Sequence, residues 1–431
     1  MALPISFGIL VPQLNFITNN IFLGQLSEQA LATAAITGVY YLIFGAIGFG
    51  LNTGLQALIA RRAGENRPGE IGKLFIHGLG IALLIAVAGI LLTYTVAPVL
   101  LQYSIHDEAI RGQAASFLKI RIWGLPFLYV YQMRNALLVG TNQSKYLVAG
   151  TLAEAVSNVL LDYGLIFGHL GLPKLGFNGA AIASIAAEFL GMAVVFAVIH
   201  VKGISKRFAL FHQLRYDAPT ARLIVVQSSP LVFQNAISII SWEFFYVLIE
   251  HHGKRDLSIS NAMRNLFGLF GMFSWALAAT CSTMVSNIIG QGKHDQVLFL
   301  IRKIVTISMS IAVVLCLLLN IFPHAFLSVY GQTDDWVEHA IPVLRVVSVG
   351  LFMMSFATIW LNGLTGTGNS TVNLLIEAIT LVAYGLYVWV ALGVLNSSVV
   401  VGWMSEWVYW AFMFSQAFFY MKSGKWKKKV I

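Results

Sequence analysis

The chain has 431 residues, 58% of them hydrophobic and only 10% charged, where soluble domains carry about 25% charged residues. That balance excludes bulk water as the main environment and leaves no room for a sizeable soluble domain. The formal net charge of +9 is concentrated in short loops and at the carboxyl-terminal tail, a distribution that belongs to membrane topology and not to nucleic-acid binding.

Along the chain, apolar runs long enough to cross a ~30 Å hydrocarbon core as helices occupy residues 2–25, 32–59, 74–100, 114–138, 146–167 and 179–200, then 223–249, 262–288, 304–329, 341–364, 374–395 and 399–420. Gly, Ala and Leu dominate these twelve runs and no alternating barrel pattern appears, so helices are expected throughout. The chain opens at Met-Ala-Leu-Pro, at the edge of the first run and without a signal-peptide pattern, and a short polar leader is expected before it. In the second run, GFGLNTG at 48–54 follows no strand and precedes no Gly-Lys-Ser/Thr, so its glycines read as close helix packing and not as a nucleotide loop. His77, in the third run, reads as a packed or pore-facing residue, and the ten histidines show no metal-ligand spacing. The outer-loop pair His106-Asp107 is the nearest thing to a catalytic feature; it lacks a partner constellation, and the protein is not expected to be an enzyme. Cys281 and Cys316, both inside apolar runs, read as buried small hydrophobes.

The fifth run contains SNVLLDYGLIFG, and along that run Glu154, Asn158 and Asp162 recur every four residues and form one polar stripe on a helix. An ionisable group inside a span costs about 2.5–3.5 kcal/mol and usually faces a cavity or pathway. Asp162 is therefore read as a switchable charge that takes up a proton or cation. Ser184 and Glu188 are again four apart on the sixth run, and Ser184 is a candidate hydroxyl for the same site. The second half has its own carboxylates in Glu243, Glu377 and Glu406, all expected to be buried. Glu243 and Glu406 stand among aromatics, a combination suited to holding a lipophilic cation by charge and ring faces.

Orientation follows Lys and Arg in short loops, which stay cytoplasmic. Loops after even-numbered runs and the tail hold 18 such residues, against 4 in loops after odd-numbered runs, so both termini are expected in the cytoplasm. The chain also repeats itself. Pro4-Ile-Ser-Phe7 matches Pro230-Leu-Val-Phe233, Gly64 matches Gly290, and Gly140-Thr141 with Ser144 matches Gly366-Thr367 with Ser370, every pair separated by the same interval. Two six-helix bundles follow, related by a pseudo-two-fold axis along the membrane normal: an amino lobe at 1–202, a cytoplasmic linker at 203–220, and a carboxyl lobe at 221–431 with the basic tail. Duplicated transporters usually bind substrate near the midplane between their halves and alternate access by rocking one against the other.

The succession FLGQLSEQAL, GFGLNTGLQALIARRAGEN, NVLLDYGLIFGHLGLPKLGFNGAAIAS, VSNIIGQGKHDQV and NGLTGTGNST resembles the bacterial type of the multidrug and toxic compound extrusion (MATE) family over practically the whole chain. The resemblance implies twelve-helix antiporters with two lobes around a central cavity, exporting organic, mostly cationic compounds in exchange for Na⁺ or H⁺. The family's amino-lobe cation site uses an Asp on the first span, an Asn and Asp on the fifth and a Thr on the sixth. Here Asn158 and Asp162 match, Ser184 replaces the Thr, and Asn19 replaces the first Asp. The amide removes one anionic oxygen ligand, which disfavours Na⁺ relative to H⁺ and leaves Asp162 and Glu154 to titrate. The implied protein is an inner-membrane antiporter for small organic cations, monomeric, surrounded by lipid, without nucleic acid and without a cofactor beyond its coupling ion. Substrate contacts are expected at Glu243, Glu377 and Glu406. The alternative is a lipid-linked oligosaccharide flippase, expected to line its cavity with basic side chains; the basic residues within runs, Lys119, Arg121, Arg134, Arg264 and Arg345, mostly lie near run ends.

Overall fold

Each of the twelve apolar runs lies on helix in the computed structural model, which describes residues 2–104, 107–211, 215–330 and 333–429; His106 lies outside the described residues. The first half contains α1 (Ala2–Leu26), α2 (Glu28–Gly64), α3 (Pro68–Thr95), α4 (Ala97–Ser104), α5 (Glu108–Arg121), α6 (Leu125–Gly140), α7 (Leu147–Phe167), α8 (Phe177–Val201) and α9 (Ile204–Arg207). Then come α10 (Ala218–Glu250), α11 (Lys254–Gly290), α12 (Val297–Ile321), α13 (Pro323–Leu327), α14 (Asp334–Gly366), α15 (Ser370–Val388), α16 (Val399–Trp403) and α17 (Ser405–Lys422). No strand occurs among the described residues. With no water to satisfy backbone groups in hydrocarbon, helices that bond internally are the available solution. Their ends use local chemistry: Ser27 Oγ accepts from Ala30 N, Asp107 from Ala109 N and Ile110 N, and Thr333 from Trp336 N.

The fold divides into two compact units, Leu3–Val232 and Phe233–Ile431, with the division inside α10. In the first unit α2 packs on α3, α5 and α6, α6 packs on α3 and α8, and α7 packs on α8. In the second, α11 packs on α12 and α14, α14 on α12 and α17, and α15 on α17. The two packing schemes correspond, since α2 and α11, like the ends of α6 and α14, stand at the interval that separates Pro4 from Pro230. Even a close crossing recurs. A Cβ on Gly140 would lie 3.0 Å from the Gln56 carbonyl, and one on Gly366 would lie 2.4 Å from that of Ser282, the residue equivalent to Gln56 in the repeat.

The units differ along α14 and its counterpart. In the second unit α14 runs unbroken through Phe352, whereas the equivalent position in the first is Pro126. Proline lacks an N–H and crowds the carbonyl four residues earlier, and a 3₁₀ turn at Ile122–Gly124 interrupts the helix there, between α5 and α6. Arg121 sits at that break.

Other expectations meet definite geometry. The GFGLNTG glycines do serve packing: a Cβ on Gly54 would stand 2.2 Å from Ser228 Oγ, and one on Gly50 2.7 Å from the Val232 backbone. His77 is packed, its Nδ1 paired with the Lys73 carbonyl at 2.8 Å and its Nε2 accepting from Asp217 N at 2.8 Å. That ties the linker to α3. The Thr220 hydroxyl and, next, the Lys73 ammonium at 3.0 Å hold the Asp217 carboxyl down at about 2. Cys281 is buried as expected, but Cys316 is only partly so.

Candidate functional site

The α7 stripe is held against α8 by small residues. Gly150 and Gly191 let the two backbones approach, since a Cβ on Gly150 would lie 2.1 Å from Val195 Cγ2, and one on Gly191 2.9 Å from Glu154 Cβ. The opposite side of α7 presents Leu152, Val156, Leu160 and Tyr163 outward, so Asn158 and Asp162 turn inward. Asp162 is 0% exposed, and among the described residues neither of its carboxylate oxygens has a hydrogen-bond partner; the same holds for Oδ1 of Asn158. An anion in that position is costly, and a proton or a bound cation removes the cost.

Asn19 stands on α1, whose next turn packs against α7. Phe22 packs its ring 6.4 Å from Tyr163 and 5.9 Å from Phe167, and Leu23 shares a cluster with Ile166. Asn19 lies one turn back along α1 from Phe22, with its buried Oδ1 unpartnered among the described residues. Ser184 is half-buried on α8. Among the described residues Asn19, Asn158, Asp162 and Ser184 form no hydrogen bonds to one another.

Beside the stripe stands a pairing that sequence reasoning missed. Arg121 Nη2 donates to Glu188 Oε1 at 2.5 Å and Nη1 to Oε2 at 3.1 Å, a bidentate bridge whose side chains are 12% and 10% exposed. The same guanidinium donates to Tyr41 Oη at 3.0 Å and lies 3.9 Å from that ring's centre. Gly124 makes the room, because a Cβ there would be 2.3 Å from Arg121 Nη1 and 2.6 Å from Glu188 Oε2. Arg134, 0% exposed, donates to the Met192 carbonyl at 2.7 Å and the Gly191 carbonyl at 3.3 Å. Glu154, half-buried, is within electrostatic reach of both arginines and of Glu188. Placement near run ends does not keep these arginines at the surface; both are interior charges with partners.

The second unit handles its carboxylates differently. Glu377 accepts from Tyr409 Oη at 2.5 Å, Ser238 Oγ at 2.7 Å and Gln234 Nε2 at 3.2 Å. Glu406 accepts from Trp410 Nε1 at 2.9 Å and Trp242 Nε1 at 3.4 Å. The indoles meet Glu406 by their N–H edges, while the Arg264 guanidinium lies 5.4 Å from the centre of the Trp242 ring, which corrects the expectation of ring faces open to a cation. Glu243 is corrected too: it is exposed. At 100° per residue, Phe245, Tyr246 and Ile249 take the buried side of α10 and carry Glu243 away from it. Glu377 and Glu406 are thus buried within the unit and Glu243 is not.

The fold is that of an all-α polytopic membrane protein with twelve transmembrane helices in two six-helix bundles. The MatE family model matches residues 4–164 and again 230–390, two windows set apart by the same interval as the helices, and the chain belongs to that family of membrane transporters. Among curated relatives, the probable multidrug resistance protein NorM of Thermotoga maritima is 23% identical, over 100% of this chain and 93% of its own length. The probable multidrug resistance protein NorM of a Synechocystis species is 22% identical over 86% of this chain and 79% of its own. Among solved structures, a MATE transporter in complex with MaL6 superposes with a TM-score of 0.92 at 15% identity, covering 100% of this chain and 96% of the other. A MOP superfamily transporter from Pyrococcus furiosus, described as having a binding pocket of reversed polarity, gives 0.90 at 15% identity over the same shares.

Proposed function

We propose that this transporter is a secondary antiporter that exports organic, mostly cationic, drug-like compounds across a bacterial cytoplasmic membrane in exchange for protons, with both termini in the cytoplasm. The lobes at 1–202 and 221–431 alternate access by rocking, joined by the linker at 203–220. The observation that carries the reading is Asp162, fully buried with both carboxylate oxygens unpartnered among the described residues. Protonation there removes a buried charge, and a ligand shifts a two-state equilibrium only by binding its states differently. Asn158, Ser184, Asn19 and Glu154 are its proposed neighbours in coupling. Glu377, Glu406 and the exposed Glu243 supply negative charge for a cationic substrate, in keeping with relatives named for multidrug resistance. Against an anionic glycolipid cargo, Arg121 is engaged by Glu188, and Arg134 by the Val130, Gly191 and Met192 carbonyls.

The test is dye efflux from proteoliposomes under a pH gradient or a Na⁺ gradient imposed separately. Proton-driven efflux lost in Asp162→Asn is expected. Efflux driven only by Na⁺, or undiminished in that variant at equal protein content, overturns the reading.

A further inference from the structure

The first unit contains a buried charge balance that neither the family match nor the coupling role of Asp162 assigns. Five ionisable side chains from four helical segments face one another there. Arg121 on α5 bridges Glu188 on α8 and acts electrostatically on Glu154 and Asp162 of α7; Arg134 on α6 acts on Glu154. Tyr41 of α2 completes the surround as a neutral partner of Arg121. Three carboxylates face two guanidiniums, so the cluster is one positive charge short; among the described residues Glu188 is bonded to an arginine, while Asp162, fully buried, and Glu154, half-buried, are not. Among the described residues the second unit holds no such arrangement: the positions equivalent to Arg121, Arg134 and Asp162 in the repeat are Val347, Trp360 and Val388, all buried and apolar.

We infer that Arg121 is a tethered counter-ion that sets the coupling stoichiometry at one cation per transport cycle. Its guanidinium permanently occupies the place a second exchangeable cation would take at Glu188. The bidentate geometry, the stacking on Tyr41 and the clearance left by Gly124 hold it there through the cycle. Arg121 is in this sense a positioning residue: it touches neither substrate nor proton, and it decides how many charges the site must borrow. The inference rests on the coupling role proposed above for Asp162.

The experiment uses the full-length protein in proteoliposomes with ethidium, a monovalent cation, under a fixed pH gradient and a membrane potential set by K⁺ and valinomycin. One-for-one exchange is electroneutral, so wild-type ethidium accumulation is expected not to respond to the potential. Arg121→Ala exposes Glu188 to a second proton and makes the exchange electrogenic; one net charge crossing about 100 mV changes the accumulation ratio roughly fifty-fold. If Arg121→Ala fails to fold, the charge-balanced double variant Arg121→Gln with Glu188→Gln decides the matter, and it is expected to transport and to remain insensitive to potential. A wild type that responds to potential, an active Arg121→Ala that does not, or a double variant without transport overturns the inference. Asp162→Asn measured alongside separates the two claims: full-rate transport by that variant sinks the coupling role, whereas a potential-sensitive wild type sinks the charge count alone.

Discussion

The two units share a scaffold and differ in what they bury. Helix ends, the Gly140 and Gly366 crossings and the pairing of neighbours all recur at one constant offset along the chain. The polar interiors do not. The first unit sets carboxylates against guanidiniums and leaves Asp162 bare, whereas the second surrounds Glu377 and Glu406 with neutral hydroxyl, amide and indole donors. Repetition therefore fixes the architecture, while the fully buried carboxylate without a bonded partner stands on one copy. A bare buried charge is a liability in a structural element and an asset in one that has to change state with its ligand.

The sharpest way to break the comparison is to unbalance the first unit. Arg121→Ala strands Glu188, and losing one partner of a buried pair costs about 3–5 kcal/mol, visible as a large fall in melting temperature in detergent. Moving the liability to the other copy is the next largest effect. Val388→Asp plants in α15 a carboxylate at the position equivalent to Asp162, and about 2.5–3.5 kcal/mol of destabilisation is expected without gain of coupling, read from membrane yield and thermal stability. The shared scaffold is tested by Gly140→Ala and Gly366→Ala. Each is expected to lose about 1–3 kcal/mol, with Gly366→Ala worse because its methyl meets a backbone carbonyl at 2.4 Å. Glu377→Gln should be milder, about 1 kcal/mol, because its carbonyl still accepts from Tyr409 or Ser238. Smallest is Asp217. A carboxyl held at about 2 by Thr220 and Lys73 contributes stability above its unfolded value near 4 and loses it as pH falls through about 2. Linker proteolysis should therefore stay unchanged from pH 8 to 5, and Asp217→Ala should speed it modestly across that range.

The membrane made much of this legible beforehand. Spans must be long and apolar, and a four-residue stripe of Glu154, Asn158 and Asp162 inside one stands out against them. The same solvent hid the rest. Lipid-facing and inward-facing sides are both apolar, so periodicity along α10 could not tell that Glu243 turns outward while Phe245 turns in. Nor does spacing relate Arg121 to Glu188, 67 residues away on another helix. The available signal was composition: an arginine in an otherwise apolar run needs an anion nearby, and Glu188 was among the few on offer.

Coupling is proposed to reside in the first unit, at Asp162. It is tested most directly by measuring pH-gradient-driven efflux of one dye in proteoliposomes containing matched amounts of Asp162→Asn or Glu377→Gln protein. The expected result is loss of gradient-driven efflux in Asp162→Asn and its survival in Glu377→Gln, with at most an altered dye affinity. Survival in Asp162→Asn together with loss in Glu377→Gln would place coupling in the second unit and contradict the account.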